Sequence, residues 1–404
     1  MSGVLRVLFP LFLSIPIVIF GLDEFEVPLS DIVLLFGMLF LLRSLASKAA
    51  LYFYLLFLLA LLSVVVQMIF GAPVEVKPFL SVLFFLKPLL AYFAALWVVK
   101  GPADGETVFR ITGLSMITSI ILIFLDVVIN YSGVPRADSY INGSILGLTQ
   151  YATYGVNTAA CFYFVIFTLS VYTFCNPVNA QFLRLYGVIG AVCSGYLIIG
   201  SLSREVILAL LLFVFLIVFE KQRKNRWLIF FGIVFVVVVC GLFLLEDIVN
   251  SPFLEAKVLQ LVDGYHSGDF NSISSGRLEL YWVALLQVLQ GPFFGNGFHG
   301  YLLYPEIISF DLEPEGLSPH NQYLTTFWKG GLIFFIAYFS YLYMLIRDSR
   351  ILAEPVGGGY VLRAFYISTF ILLANLWDVL MVANFGAMFF FLIGVVHAMW
   401  VKRI

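Results

Sequence analysis

A histidine stands in Ser318-Pro319-His320-Asn321-Gln322-Tyr323-Leu324, where a long polar loop gives way to an apolar run. The chain has only four histidines, and acidic residues (Asp311, Glu313 and Glu315) precede this one closely. A neutral imidazole at such a seam can take a proton from an alcohol near pH 7. Two arginines offer the complementary chemistry. Arg204 lies in Gly200-Ser201-Leu202-Ser203-Arg204-Glu205, a tight polar break between two apolar runs. Arg277 lies in Ser274-Ser275-Gly276-Arg277-Leu278-Glu279, where serine and glycine suit the start of a helix. A guanidinium binds phosphate oxygens two at a time and stays charged, so such a pair suits a pyrophosphate in a partly dry site. The competing structural readings are an Arg204–Glu205 ion pair and an Arg277 anchor to lipid headgroups.

Further polar groups stand among apolar residues. Lys87, in Phe84-Phe85-Leu86-Lys87-Pro88, falls in mid-helix beside a kink-forming proline. A lysine there needs a polar cavity or a partner, with Asp126 or a substrate as candidates. Arg136 sits with Asp138 in a shorter loop over 131–150.

The elements that must position these residues are membrane-spanning helices. The chain is 62% hydrophobic and 11% charged, and its apolar runs are continuous, which suits helices rather than a barrel. The segmentation predicts an all-α polytopic membrane protein with twelve crossings: 4–21, 31–42, 50–70, 79–99, 111–130, 151–173, 185–200, 206–219, 227–245, 322–346, 364–380 and 384–400. Most of the 22 basic residues, including the run Lys221, Arg223, Lys224 and Arg226, then fall on one side. The positive-inside rule makes that side cytoplasmic. Residues 1–404 read as one integral membrane domain, with a long outer loop over 246–320 between helices nine and ten. Within it, 276–289 reads as an interfacial helix ended by the glycine-punctuated turn Gly291-Pro292-Phe293-Phe294-Gly295-Asn296-Gly297-Phe298.

Other chemistries lack their signatures. The four cysteines (Cys161, Cys175, Cys193 and Cys240) show no CxxC spacing, no HExxH occurs, and no glycine-rich phosphate loop follows a strand. No metal site, cofactor or nucleic-acid partner is expected. A transporter remains an alternative, but transporters place ionisable groups at midplane and repeat their halves, and no convincing repeat is present.

Three blocks resemble the O-antigen polymerase/O-antigen ligase superfamily. They are Ser201-Leu202-Ser203-Arg204 opening a helix; Ser275-Gly276-Arg277-Leu278-Glu279 with the turn 291–298; and Pro319-His320-Asn321-Gln322-Tyr323-Leu324 running into Gly330-Gly331-Leu332-Ile333. The resemblance covers roughly 200–335. It implies a twelve-helix, metal-independent glycosyltransferase of the GT-C type in the bacterial inner membrane, its site facing the periplasm. The donor would be an undecaprenyl-pyrophosphate-linked oligosaccharide. Residues matching Arg204 and Arg277 would engage the pyrophosphate, and that matching His320 would act as base with inversion. Arg136, Lys87, Asn321 and Tyr323 are further substrate-binding candidates. Aromatics such as Tyr281, Trp282, Phe298 and Tyr301 are candidates for stacking on sugar. Ligases resembling this chain commonly place glycine, threonine or tyrosine three residues after the glycine that ends the histidine segment. Phe334 stands there after Gly331, which favours a polymerase of surface-polysaccharide repeat units over a ligase acting on lipid A-core. A chain-length regulator is a possible partner.

Overall fold

Apolar residues cover every side of the helix over Lys48–Ile69. Ala50, Phe53, Leu56, Ala60 and Val64 are buried, while Leu51, Leu55, Leu58, Leu62, Val65 and Ile69 are exposed at the same helical spacing. In water that outer stripe would be a liability; against hydrocarbon it is the required surface. Among the described residues of the computed structural model, five helical stretches are long and apolar enough to cross a membrane: Lys48–Ile69, Pro78–Val98, Pro102–Leu125, Gln181–Gly200 and Gln322–Asp348. The chain is a multi-pass, predominantly helical membrane protein. The structure describes residues 2–14, 18–22, 25–28, 30–43, 47–72, 74, 76–130, 156–176, 179–201, 203–219, 231–232, 234–235, 238, 259, 262–269, 277–298, 321–353, 359–372 and 383–401.

In chain order the described helices are α1 (Ser2–Ser14), α2 (Ser30–Arg43), α3 (Lys48–Ile69), α4 (Lys77–Leu86), α5 (Leu90–Val98), α6 (Pro102–Asn130), α7 (Val156–Cys175), α8 (Gln181–Gly200) and α9 (Arg204–Phe219). They continue with α10 (Arg277–Gln290), α11 (Gln322–Ala353), α12 (Gly359–Leu372) and α13 (Ala383–Val401). The most enclosed are α7 and α13, whose described side chains are nearly all buried. Against α13 packs α5, and Gly394 lets the two backbones approach, since a Cβ there would stand 2.5 Å from the Tyr92 carbonyl oxygen.

Two expectations need correction. The first apolar run is not a helix over 4–21. Helix α1 stops at Ser14, and strands β1 (Val18–Leu22) and β2 (Phe25–Pro28) form an antiparallel hairpin. Pro16 disfavours helix at the residue before it, and the β-branched and aromatic Val18, Ile19 and Phe20 favour the extended chain that follows. The predominantly helical fold thus carries one small hairpin among its described residues. The second correction concerns Lys87. It lies in a short 3-10 turn over Lys87–Leu89 that joins α4 to α5, and its Nζ pairs with Asp31 Oδ2 at 2.6 Å, whereas the side chain of Asp126 lies outside what the structure describes. Asp31 occupies the first turn of α2, where a carboxylate also complements the helix dipole. Of the other predicted crossings, 227–245 falls almost wholly outside the described residues.

Candidate active site

Helix α11 carries the feature that organises the site. At Gly331 its backbone leaves the helix, with φ 71° and ψ −176°, a combination essentially reserved for glycine. A break at membrane depth strands carbonyls on one side and N–H groups on the other, and hydrocarbon satisfies neither. Here the turn 291–298 supplies both kinds of partner. Asn296 and Phe298 donate their N–H groups to the carbonyls of Trp328 (2.8 Å) and Lys329 (3.2 Å). On the far side, the N–H groups of Leu332 and Ile333 donate to the carbonyls of Pro292 (2.9 Å) and Phe293 (3.5 Å). The second and third sequence blocks are thus one structural unit.

Glycine is required on both sides of this seam. A Cβ on Gly331 would collide with the Phe293 carbonyl, and one on Gly295 (φ 61°) would lie 2.5 Å from Gly331 N and Trp328 O. Helix α3 closes the unit from a third side. Ser63 Oγ donates to the Phe294 carbonyl and Gln67 Nε2 to the Gly295 carbonyl. Sequence reasoning missed Ser63 and Gln67. Their only signal was two polar residues, four apart, in an otherwise apolar run.

We expect Gly331→Ala to destabilise the folded protein by about 1–3 kcal/mol, the cost of forcing a side chain into such a conformation. The thermal midpoint of the purified protein in detergent checks this, with Ser340→Ala on the exposed side unchanged as control.

Above the break, residues 322–330 form a short half-helix. Asn321 caps it: its Oδ1 accepts the Leu324 N–H at 3.1 Å and its carbonyl accepts the Thr325 N–H at 2.8 Å. A cap residue satisfies one of the orphan donors of a helix start. Asn321 therefore fixes where the helix begins, directly after His320. At about 1.5 Å per residue, the cap stands roughly 15 Å from Gly331. The half-helix leans on α10, where Trp328 Nε1 donates to Gln287 Oε1 at 2.5 Å and Trp328 is buried with Leu280, Val283, Ala284 and Val288. The other side of α10, Leu278, Trp282, Leu285 and Leu289, is exposed. A helix apolar on both sides suits a position between protein and lipid. Arg277 is its first residue.

The first block also opens a helix. Ser203 accepts the Ile207 N–H with its carbonyl at 3.0 Å, and α9 starts at Arg204. Its Oγ donates to the buried Glu205 at 3.4 Å, so Glu205 turns into the protein. Arg204 and Arg277 thus each occupy the first position of a helix, where unpaired N–H groups favour anions.

Other predicted site residues fare differently. The Tyr323 ring packs on Phe339 with centroids 4.5 Å apart. Phe298 is 1% exposed and sits among Phe85, Phe334 and Tyr338, with centroids 5.3–5.8 Å apart across the contacts of the group. It is a packing residue and not a sugar platform. Phe334 belongs to the same cluster, so its ring serves to seat the turn. Trp282 remains open, at 61% exposure. Lys87 is paired with Asp31. His320, Arg136 and Tyr301 lie outside the described residues.

Comparison with known proteins agrees with these blocks. Residues 189–339 match the family described as O-antigen ligase, a stretch that begins within α8 and ends within α11. This stretch is similar to the O-antigen ligase/polymerase superfamily, enzymes of O-antigen-related glycan transfer. No curated protein matches the chain.

Proposed function

We propose that the protein polymerises oligosaccharide repeat units carried on undecaprenyl pyrophosphate, at the periplasmic face of the bacterial inner membrane, without a metal or other cofactor. His320 takes the proton from an acceptor hydroxyl as that oxygen attacks the anomeric carbon. The bond from that carbon to the pyrophosphate oxygen breaks on the opposite face, inverting the centre, and the electron pair leaves with the polyprenyl pyrophosphate. An imidazole with an ordinary pKa near 6.5 cannot ionise a sugar alcohol beforehand, so proton transfer accompanies attack. Arg204 and Arg277 take up the charge that grows on the leaving pyrophosphate, stabilisation that counts because it is greater in the transition state. Asn321 sets the helix start beside the base. Arg136 and Tyr323 contact the substrate, and the 246–320 loop forms part of the site around it.

The observation that carries this reading is the seam at Gly331. It joins the block holding Arg277 to the block holding His320, within the same stretch that matches the O-antigen ligase family. The description of that family favours a second reading, transfer of the glycan to lipid A-core. Against it stands charge. A phosphorylated acceptor favours clustered arginine or lysine, and among the residues of the 246–320 loop only Lys257 and Arg277 are basic. Acceptor sugars need only hydroxyl partners and an exposed ring such as Trp282.

Purified protein given the lipid-linked repeat unit alone should yield a ladder of longer lipid-linked glycans. Silence until lipid A-core is added, followed by capping of that acceptor without a ladder, would establish the ligase reading instead.

A further inference from the structure

The half-helix over 322–330 hides a polar face that the proposed chemistry has not yet used. Gln322, Thr325, Thr326 and Lys329 recur at spacings of three, four and seven residues, which puts them on one side of a helix. The first three are 0% exposed and Lys329 is 5% exposed. Part of this face is satisfied internally. Thr326 Oγ1 donates to the Gln322 carbonyl at 2.7 Å and meets the Gln322 amide at 3.4 Å. Lys329 Nζ donates to Ser81 Oγ of α4 at 3.3 Å, closing the end nearest the break.

Two groups in the first turn are not satisfied. Gln322 Oε1 and Thr325 Oγ1 are both buried and have no hydrogen-bond partner among the described residues. Whichever way the Gln322 amide is turned, one end faces Thr326 and the other is left open. Buried polar atoms almost always have partners, and an orphan calls for a missing ligand or a function. An apolar isostere at either position would remove the cost of burying the orphan. Two orphans one turn apart, directly below the cap that follows His320, mark one place.

We infer that Gln322 and Thr325 form a binding subsite for glycan hydroxyl or acetamido groups, adjacent to the sugar whose hydroxyl His320 deprotonates. An amide carbonyl accepts from a sugar O–H or an acetamido N–H, and a threonine hydroxyl both donates and accepts. The pairing suits a neutral, multiply hydroxylated ligand. It rests on the glycan-transfer reading for the identity of that ligand and extends it by naming residues that select the acceptor. A site built to hydrogen-bond a hydroxyl discriminates strongly against a sugar lacking it, because its own groups are then left unpaired.

Thr325→Val is the decisive variant, since it keeps shape and removes the hydroxyl; Gln322→Leu is its companion. With the lipid-linked repeat unit extracted from the cell that makes it, Thr325→Val should fold with an unchanged or higher thermal midpoint. Its KM for acceptor should rise roughly threefold to tenfold, the worth of a lost hydrogen bond, with kcat changed less. A fall in thermal midpoint without ligand would show that the protein itself uses the hydroxyl, and would overturn the subsite. So would a folded variant with the wild-type KM. Failure of the wider reading is visible separately, as wild-type protein that makes no product. In that event the same glycan, cleaved from its carrier, tests the subsite alone. It should raise the melting temperature of wild type but not of Thr325→Val, and equal shifts for both would refute it.

Discussion

Replacing His320 by alanine is expected to lower product formation by roughly 10²–10⁴ while donor binding persists, the usual worth of a positioned base. The argument is local. Asn321 caps the half-helix through its own side chain and carbonyl, and neither contact uses the side chain of residue 320. The substitution removes a proton acceptor without touching the cap, the seam at Gly331 or the packing of Trp328. Loss of turnover with retained binding of the lipid-linked donor, in protein of normal thermal midpoint, is the expected pattern. Near-normal turnover in folded His320→Ala protein would remove the residue from the chemistry. A matching loss of donor binding would make it a binding residue instead.

The second large effect concerns the arginines. Lysine keeps the charge but loses the planar fork, so Arg204→Lys and Arg277→Lys should each cost about 1.5–3 kcal/mol, roughly tenfold to a hundredfold in turnover. Both residues begin helices, α9 and α10, and lysine is tolerated there as well as arginine. The loss should therefore appear in kinetics and not in folding. On the proposed reading two fixed cations do the work a divalent ion does in other glycosyltransferases, so wild-type activity should survive EDTA. Loss in EDTA, restored by a divalent metal, would transfer the role to a metal held by acids such as Asp311, Glu313 or Glu315. Lysine variants as active as wild type would remove the bidentate contact.

Much of this was legible in the residues because membrane burial enforces simple patterns. Long apolar runs gave the helices over Lys48–Ile69, Gln181–Gly200 and Gln322–Ala353, and a serine or glycine before a charged residue marked the starts of α9 and α10. What escaped was non-local. The partner of Lys87 is Asp31, on another helix, and nothing near either residue announces the other. Phe298 read as a surface aromatic because it ends a glycine-rich turn, yet the turn is driven into the protein by its pairing with α11 and carries the ring with it. The first run was read as a single helix because apolar content does not distinguish helix from strand over a few residues. Pro16 and the β-branched residues after it held the missing information. The orphaned Gln322 and Thr325 could have been noticed as a polar face in an apolar helix, although their lack of partners is a fact of three dimensions.

The seam at Gly331 also bears on how such a protein stores its design. Four main-chain hydrogen bonds join the turn to the broken helix, and every residue type offers those same N–H and C=O groups, proline's missing N–H aside. Pro292, Phe293, Trp328 and Lys329 contribute to that pairing only atoms that any substitute would bring. What the junction demands is space, at Gly295 and Gly331, where nothing larger than hydrogen fits. The instruction for placing the reactive groups is thus written largely as vacancies, at positions that carry no chemistry of their own. A reader who scans only for acids, bases and nucleophiles sees the tools and overlooks the fixture that holds them.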